Sequence, residues 1–243
     1  MFPSGDLGLH GLIVRPDGDG PFPAILWNHG SGKYPGVYFA ALAQPFVSAG
    51  YVVFMPFRRG QGTSPGPYIN NQVAATSPSE RNQVQVQLLE NQLADQLAGL
   101  AYLKGQPFVD DTRISVMGGS YGGIQTLLGA AANPGYVAAV DCSGAAEAWA
   151  SNPLLQNMLE ATVGKITIPV FLLAAQNDYD LTPQKVLGPL LQAHGNPAVV
   201  KVYPPFGTGA IGQAGHDMCF SGSSVWAGDA ISFITGGSVS SGA

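Results

Sequence analysis

Charge is scarce in this sequence: Asp, Glu, Lys and Arg together make up 10% of 243 residues. The 10 basic residues stand singly apart from the pair Arg58–Arg59, and the formal net charge is −5. A surface that binds polyanions needs clustered lysine and arginine, so nucleic acid and anionic membrane surfaces are excluded as partners. Long apolar runs are missing as well; none approaches the roughly 18 residues of a membrane span. The opening "MFPSGDLGLHG" has no basic stretch followed by an apolar core, so the pattern of a signal peptide is absent. The compartment stays open between the cytoplasm and secretion with a leader removed, and so does the oligomeric state. Cysteine is limited to Cys142 and Cys219, too few for a disulfide scaffold and matching no metal-binding spacing. Two unpaired buried thiols are the expected state.

What is present is apolar and loop-rich: 46% hydrophobic residues, 33 glycines and 19 prolines. That composition and length fit one globular α/β domain with a substantial core. Short apolar runs alternate with amphipathic segments. The runs are "LGLHGLIV" (7–14), "PAILWN" (23–28), "YVVFMP" (51–56), "RISVMG" (113–118), "GYVAAVD" (135–141), "IPVFLLAA" (168–175) and "PAVVKVY" (197–203). Strands that alternate with helices imply a mostly parallel sheet covered on both faces. Ser77, Pro78 and Glu80 read as a capping box, with proline at the first helical position. The stripe Val86, Leu89, Leu93, Leu97, Leu100 and Leu103 then packs that long helix on the sheet. Residues 1–235 are read as a single domain, 63–80 as a polar insertion near the site, and 236–243 as a disordered tail.

The segment "SVMGGSYGGIQTLLGAAA" (115–132) ends a strand and opens a helix, with Ser120 between two glycine pairs. Gly118, Ser120 and Gly122 fit G-x-S-x-G, in which the serine occupies a strained turn that exposes its hydroxyl at the strand's carboxyl end. A side chain at position 118 or 122 is expected to collide with a neighbouring strand or helix. No lysine follows as in a phosphate loop, and no G-x-G-x-x-G follows the first strand, so no nucleotide cofactor is implied.

A serine nucleophile needs a base and an acid that orients it, in the order Ser, acid, His. Of four histidines, His194 and His216 come late enough, and only His216 lies on a loop after a strand. His29 reads as a structural hydrogen-bonding residue. For the acid, "QNDYDLTP" offers Asp178 and Asp180. Asp178, first out of the strand, is favoured, while Asp180 is placed to cap the next helix. The turn "WNHGSG" and the residue after the serine suggest an oxyanion hole of the Tyr121 and Ser31 N–H groups, with Gly32 as the alternative to Ser31. Tyr34, Tyr38, Tyr68, Trp149 and Phe206 are candidates for a substrate pocket. Arg58 or Arg59 has two readings, contact with an anionic substrate or, preferred, burial beside a loop carboxylate.

Together, "GPFPAILWNHGSG", "PFRRGQGTSPG", "VDDTRISVMGGSYGG", "LLAAQNDYD" and "GHDMCFSGSSVW" resemble the α/β-hydrolase superfamily, in particular its dienelactone-hydrolase and prolyl-oligopeptidase-like branch. The resemblance implies an eight-stranded, mostly parallel sheet and a further strand segment ahead of Phe2. It implies Ser120 as nucleophile, Asp178 as acid and His216 as base, acting on a small-molecule ester without metal or cofactor. Dienelactone hydrolases proper carry cysteine where this chain carries Ser120, which moves the expectation toward simple, short-chain carboxylic esters. The peptidase relatives use a large N-terminal propeller for which 243 residues leave no room. A thioesterase, a small peptidase or a catalytically silent binding module of the same fold are the alternatives.

Overall fold

The computed structural model describes residues 1–239. A seven-stranded sheet forms its centre. Its strands are β3 (Gly11–Val14), β4 (Phe22–Asn28), β5 (Val52–Pro56), β6 (Val109–Gly119), β7 (Ala139–Cys142), β8 (Val170–Ala175) and β9 (Val199–Tyr203), in the spatial order β3-β5-β4-β6-β7-β8-β9. Only β3 runs antiparallel to its neighbour. The central strands are buried on both faces, which is why their sequences read as continuous apolar runs. One core cluster fills each face: Leu26, Val116, Leu127 and Leu172 on one side, and Trp27, Met117, Phe171 and Trp226 on the other.

The sheet has seven strands rather than eight, and the run 7–14 is not one strand. Leu7–Leu9 pairs with Phe2–Ser4 in a separate two-stranded sheet, and the chain joins the main sheet only at Gly11. Between them, the His10 N–H donates to Ser64 Oγ (2.9 Å) and its ring meets Thr63 Oγ1 (2.9 Å), so the loop after β5 takes the groups that would have continued a ladder.

The long helix, α3 (Arg81–Lys104), starts three residues later than the capping pattern suggested. Ser77 Oγ donates to the Glu80 carboxylate (2.6 Å) and the Glu80 N–H to the Ser77 carbonyl (3.0 Å), closing a turn ahead of the helix in which Pro78 sits. Of the expected stripe, Leu89, Leu100 and Leu103 are buried, Val86 and Leu93 pack partly buried against the core and Leu97 is not part of it, because the inner face is shared with the buried Gln92, Asp95 and Gln96. Asp95 accepts Ser4 Oγ (2.7 Å) and both Nε (2.9 Å) and Nη2 (2.7 Å) of Arg59. Arg59 thus meets a helix carboxylate. Segment 63–80 contains a short helix, α2 (Ile69–Ala75), anchored by the buried Ile69. At the end of α9 (Ser223–Ile234), the Gly236 and Gly237 N–H groups bond back to Phe233 and Ser232. Residues 240–243 of the expected tail lie outside the described residues.

The cysteines differ from the expectation: Cys142 and Cys219 form a disulfide, with Cα atoms 5.7 Å apart across 77 residues of sequence. Cys142 ends β7 beside the last residue of β6, and Cys219 lies in α8 (Met218–Ser221), directly after the short helix α7 (Gln213–His216). Gly119 permits the approach, since a Cβ there would stand 3.0 Å from the Cβ of Cys219. The bond therefore ties the sheet edge at Ser120 to the segment that carries His216. Among the described residues, no helix is long and apolar enough to cross a membrane.

Candidate active site

Strand β6 ends at Gly119 and helix α4 (Tyr121–Ala132) begins two residues later, which leaves Ser120 alone at the corner with φ 57° and ψ −124°. That backbone region is strained for a residue with a side chain. The corner closes because its flanking glycines have no Cβ. One on Gly118 would lie 2.3 Å from the Gly122 carbonyl oxygen, and one on Gly122 would lie 1.9 Å from that of Asn28 in β4. The Ser120 hydroxyl does not cap α4. It sits at the positive end of the helix, beside N–H groups that have no intrahelical acceptor.

Asp178 follows β8 and is 7% exposed, and His216 ends α7 and is 5% exposed. They meet through His216 Nδ1 and Asp178 Oδ1 at 2.9 Å. The tautomer with its proton on Nδ1 directs it to the carboxylate and leaves Nε2 as the acceptor; Nε2 is buried and, among the described residues, has no hydrogen-bond partner. Asp178 is itself held: Oδ1 accepts the Tyr179 N–H (2.7 Å) and Oδ2 accepts the hydroxyl of Ser143. The edge of the Tyr179 ring packs on the imidazole at 5.3 Å between centroids. Asp180 points elsewhere, accepting the N–H of Thr182 at the start of α6 (Thr182–Ala193; 2.8 Å).

A cavity of about 430 Å³ is lined by Ser120 and His216 together, with Ser31, Tyr34, Tyr38 and Phe220 on its walls. A second hollow of about 320 Å³ also reaches Ser120, with Asn70, Gln85 and Ser151 among its walls. Glu147 lines both. Of the pocket candidates, Tyr34 and Tyr38 stand on the first wall, whereas Tyr68, Trp149 and Phe206 line neither cavity. Tyr68 instead donates its hydroxyl to the Ser31 carbonyl (2.8 Å). Trp149, 4% exposed, belongs to the apolar core, because a 3₁₀ turn at Trp149–Ser151 directs it inward. Phe206 packs partly buried against the second core cluster. Among the described residues, no group of three or more His, Cys, Asp or Glu is placed to hold a metal ion.

The sequence matches the dienelactone hydrolase family over residues 9–209. The chain belongs to that family. Ser120 and Asp178 fall inside the matched span and His216 lies just beyond it. Among curated relatives, the quorum-quenching protein AidA of Acinetobacter baumannii (strain MDR-ZJ06) is 29% identical over 159 residues, covering 63% of this chain and 47% of that protein. The chain thus spans about half the length of the curated relative it matches. Est1E of Butyrivibrio proteoclasticus, solved with ferulic acid bound, superposes with a TM-score of 0.65 at 19% identity, covering 85% of this chain and 90% of that one. The acylaminoacyl peptidase of Pyrococcus horikoshii gives 0.66 at 21% identity, covering 87% of this chain and 37% of the peptidase. At these identities the likeness establishes the α/β-hydrolase fold.

In this dienelactone hydrolase family member, two features of the site depend on residues that the sequence pattern did not single out. The first is Ser143, one residue past β7, whose hydroxyl holds the second oxygen of Asp178. A small polar residue directly after a strand at the Ser120 edge was the available signal. The second is Asp141, 1% exposed and two residues upstream. Burial pushes its carboxyl up to about 7; the bond from the Gly144 N–H (2.8 Å) opposes the shift and nearby Asp178 adds to it. In the unfolded chain the same carboxyl titrates near about 4. Between roughly pH 4 and 7 the folded protein holds a proton that the unfolded chain has released, so stability falls as pH rises through that window. Asp141→Asn keeps an acceptor for Gly144 and removes the titration. Its unfolding temperature is expected to exceed that of the parent at about pH 8 and to lose the decline between about pH 4 and 7. A lower midpoint at pH 8, with an unchanged pH profile, would contradict this.

Proposed function

We propose that this protein is a serine hydrolase that cleaves short-chain carboxylic esters through an acyl-serine intermediate. One observation carries the reading. His216 is held by Asp178 through Nδ1 and keeps an unpartnered Nε2 at a cavity it shares with Ser120, whose backbone is strained at a strand–helix corner. Ser120 Oγ attacks the ester carbonyl as His216 Nε2 takes its proton. The carbonyl π electrons move to oxygen, and the N–H groups of Tyr121 and Ser31 stabilise that oxyanion. When the carbon–oxygen double bond re-forms, the alcohol leaves with the proton that His216 returns. Water, deprotonated by His216, then attacks the acyl carbon; the bond to Ser120 Oγ breaks, His216 returns the proton to that oxygen, and the acid leaves. Asp178 fixes the imidazole tautomer and stabilises its charge throughout. The two hollows that meet at Ser120 provide room for the acyl and alcohol groups.

The preference for short acyl chains rests on the walls. Segment 63–80 brings polar Asn70 to the site, and the larger cavity carries Lys33, Glu147 and Asp217. A long alkyl chain gains about 0.8 kcal/mol per methylene only where apolar surface buries it; the cavity of about 430 Å³ offers Val37, Phe39, Leu42 and Phe220 to a short acyl chain, and polar Asn70 of segment 63–80 offers no such surface to a longer one. A series of p-nitrophenyl esters tests both parts. Acetate and butyrate are expected to turn over faster than palmitate. Faster turnover of palmitate would refute the chain-length preference, and failure to cleave any ester would refute the activity.

A further inference from the structure

Arg58 is a buried cation without an anion. It is 1% exposed, and among the described residues no carboxylate pairs with it, whereas the adjacent Arg59 is engaged by Asp95. A lone charge in a low-dielectric interior is costly, so its retention calls for a compensating contact. An anionic group on the substrate is not that contact, because Arg58 lines neither cavity beside Ser120. Burial lowers its pKa to about 10, which leaves it charged at neutral pH.

The guanidinium serves backbone oxygens instead. Arg58 Nη2 donates to the carbonyl oxygens of His29 (2.6 Å) and Gly30 (2.8 Å). The Gly30 oxygen also lies 2.8 Å from His29 Nδ1 and takes the Gln61 Nε2 amide at 3.2 Å. His29 Nε2 accepts the Arg58 N–H (3.2 Å), which favours the tautomer with its proton on Nδ1 facing Gly30; Nδ1 also stands 2.9 Å from Arg58 Nη2, so the guanidinium packs directly against the ring. Burial, reinforced by the Arg58 charge, holds the His29 pKa well below its ordinary value and keeps the ring neutral. Arg58 Nη2 and Gln61 Nε2 therefore both donate to one carbonyl, joined by His29 Nδ1 in that tautomer. The same peptide unit carries the N–H of Ser31, and in a trans peptide N–H and C=O point in opposite directions. Fixing the oxygen fixes the N–H, and polarising the oxygen strengthens the N–H as a donor. The guanidinium carbon also lies 4.9 Å from the ring centroid of Tyr121, the residue that supplies the other oxyanion donor.

We propose that Arg58 is a positioning residue for the oxyanion hole: it locks the Gly30–Ser31 peptide and places a positive charge that no carboxylate pairs with beside that peptide and against the Tyr121 ring. The inference rests on the acyl-transfer reading above. Its chemical sense is that an ester is neutral and its tetrahedral intermediate is not. Of the carboxylates, Arg58 feels only the field of Asp95, whose oxygens accept from Arg59, and it gains a nearer anion as the reaction proceeds, which lowers the barrier without tightening substrate binding.

The test compares wild type, Arg58→Met and Arg58→Lys on p-nitrophenyl butyrate, together with inhibition by a trifluoromethyl ketone, which forms a tetrahedral oxyanion on the serine, and thermal unfolding. Arg58→Met is expected to lower kcat by about 10², the scale of losing one oxyanion donor, and to weaken the ketone by a similar factor, with KM within about twofold of wild type. Its unfolding midpoint serves as the check on folding, because removal of an unpaired buried charge is opposed by the donors lost to the His29 and Gly30 carbonyls. Arg58→Lys keeps the charge but not the planar fork, so a loss of about tenfold is expected, and this variant decides the matter should Arg58→Met not fold. Folded variants with wild-type kcat and wild-type ketone affinity would overturn the proposal while leaving the acyl-transfer reading intact. A wild-type protein that neither cleaves the ester nor binds the ketone would overturn both.

Discussion

Ser120→Ala is expected to abolish ester hydrolysis, with kcat falling by about 10⁶, the scale on which loss of a nucleophile disables a cooperating serine, histidine and acid. The strained corner makes this a clean substitution. Alanine retains a Cβ at φ 57°, so the backbone strain is unchanged, and the lost hydroxyl makes no capping bond to α4. Folding should therefore survive, with a thermal midpoint close to that of the parent. Residual activity within about tenfold of wild type in a folded variant would place the nucleophile elsewhere.

The second large effect separates two aspartates two residues apart. Asp178→Asn removes the carboxylate against His216 Nδ1, leaving an amide that does not hold the required tautomer, and kcat is expected to fall by about 10⁴. The variant should fold, since asparagine has the size of aspartate and its one oxygen can still accept the Ser143 hydroxyl, which leaves its amide nitrogen facing His216 Nδ1. Asp180 accepts only the Thr182 N–H at the start of α6. Asp180→Asn retains an oxygen for that bond, and asparagine serves such a role as well as aspartate, so activity should stay near wild type. Circular dichroism and kcat on the same pair of proteins check this. The reverse pattern, with both variants folded, would move the acid to Asp180.

The parts legible in the sequence are those written into local pattern. Strands β4, β5, β6 and β8 are buried on both faces and stand out as apolar runs bounded by turn residues. The corner at Ser120 is legible because steric demand selects glycine at 118 and 122, and chain order with post-strand position singles out Asp178 and His216. What escaped is set by distant contacts. The split of 7–14 depends on Ser64 taking the His10 N–H, and the true start of α3 depends on Ser77 and Glu80 closing a turn ahead of it. The Cys142–Cys219 bond depends on Gly119 letting α8 approach across 77 residues. Trp149 and Tyr68 illustrate the same limit: an aromatic near the site in sequence can face the core or brace a backbone carbonyl. Arg58 was ambiguous because its partners are backbone oxygens, which leave no trace in residue identity.

The central claim, that Ser120 is the nucleophile served by His216, is tested most directly by labelling with a fluorophosphonate and mapping the adduct by mass spectrometry. The account predicts a single adduct on the peptide that contains residues 115–132, located on Ser120, with labelling lost in Ser120→Ala and strongly slowed in His216→Ala. An adduct on a different residue, or equal labelling of wild type and Ser120→Ala, would contradict it.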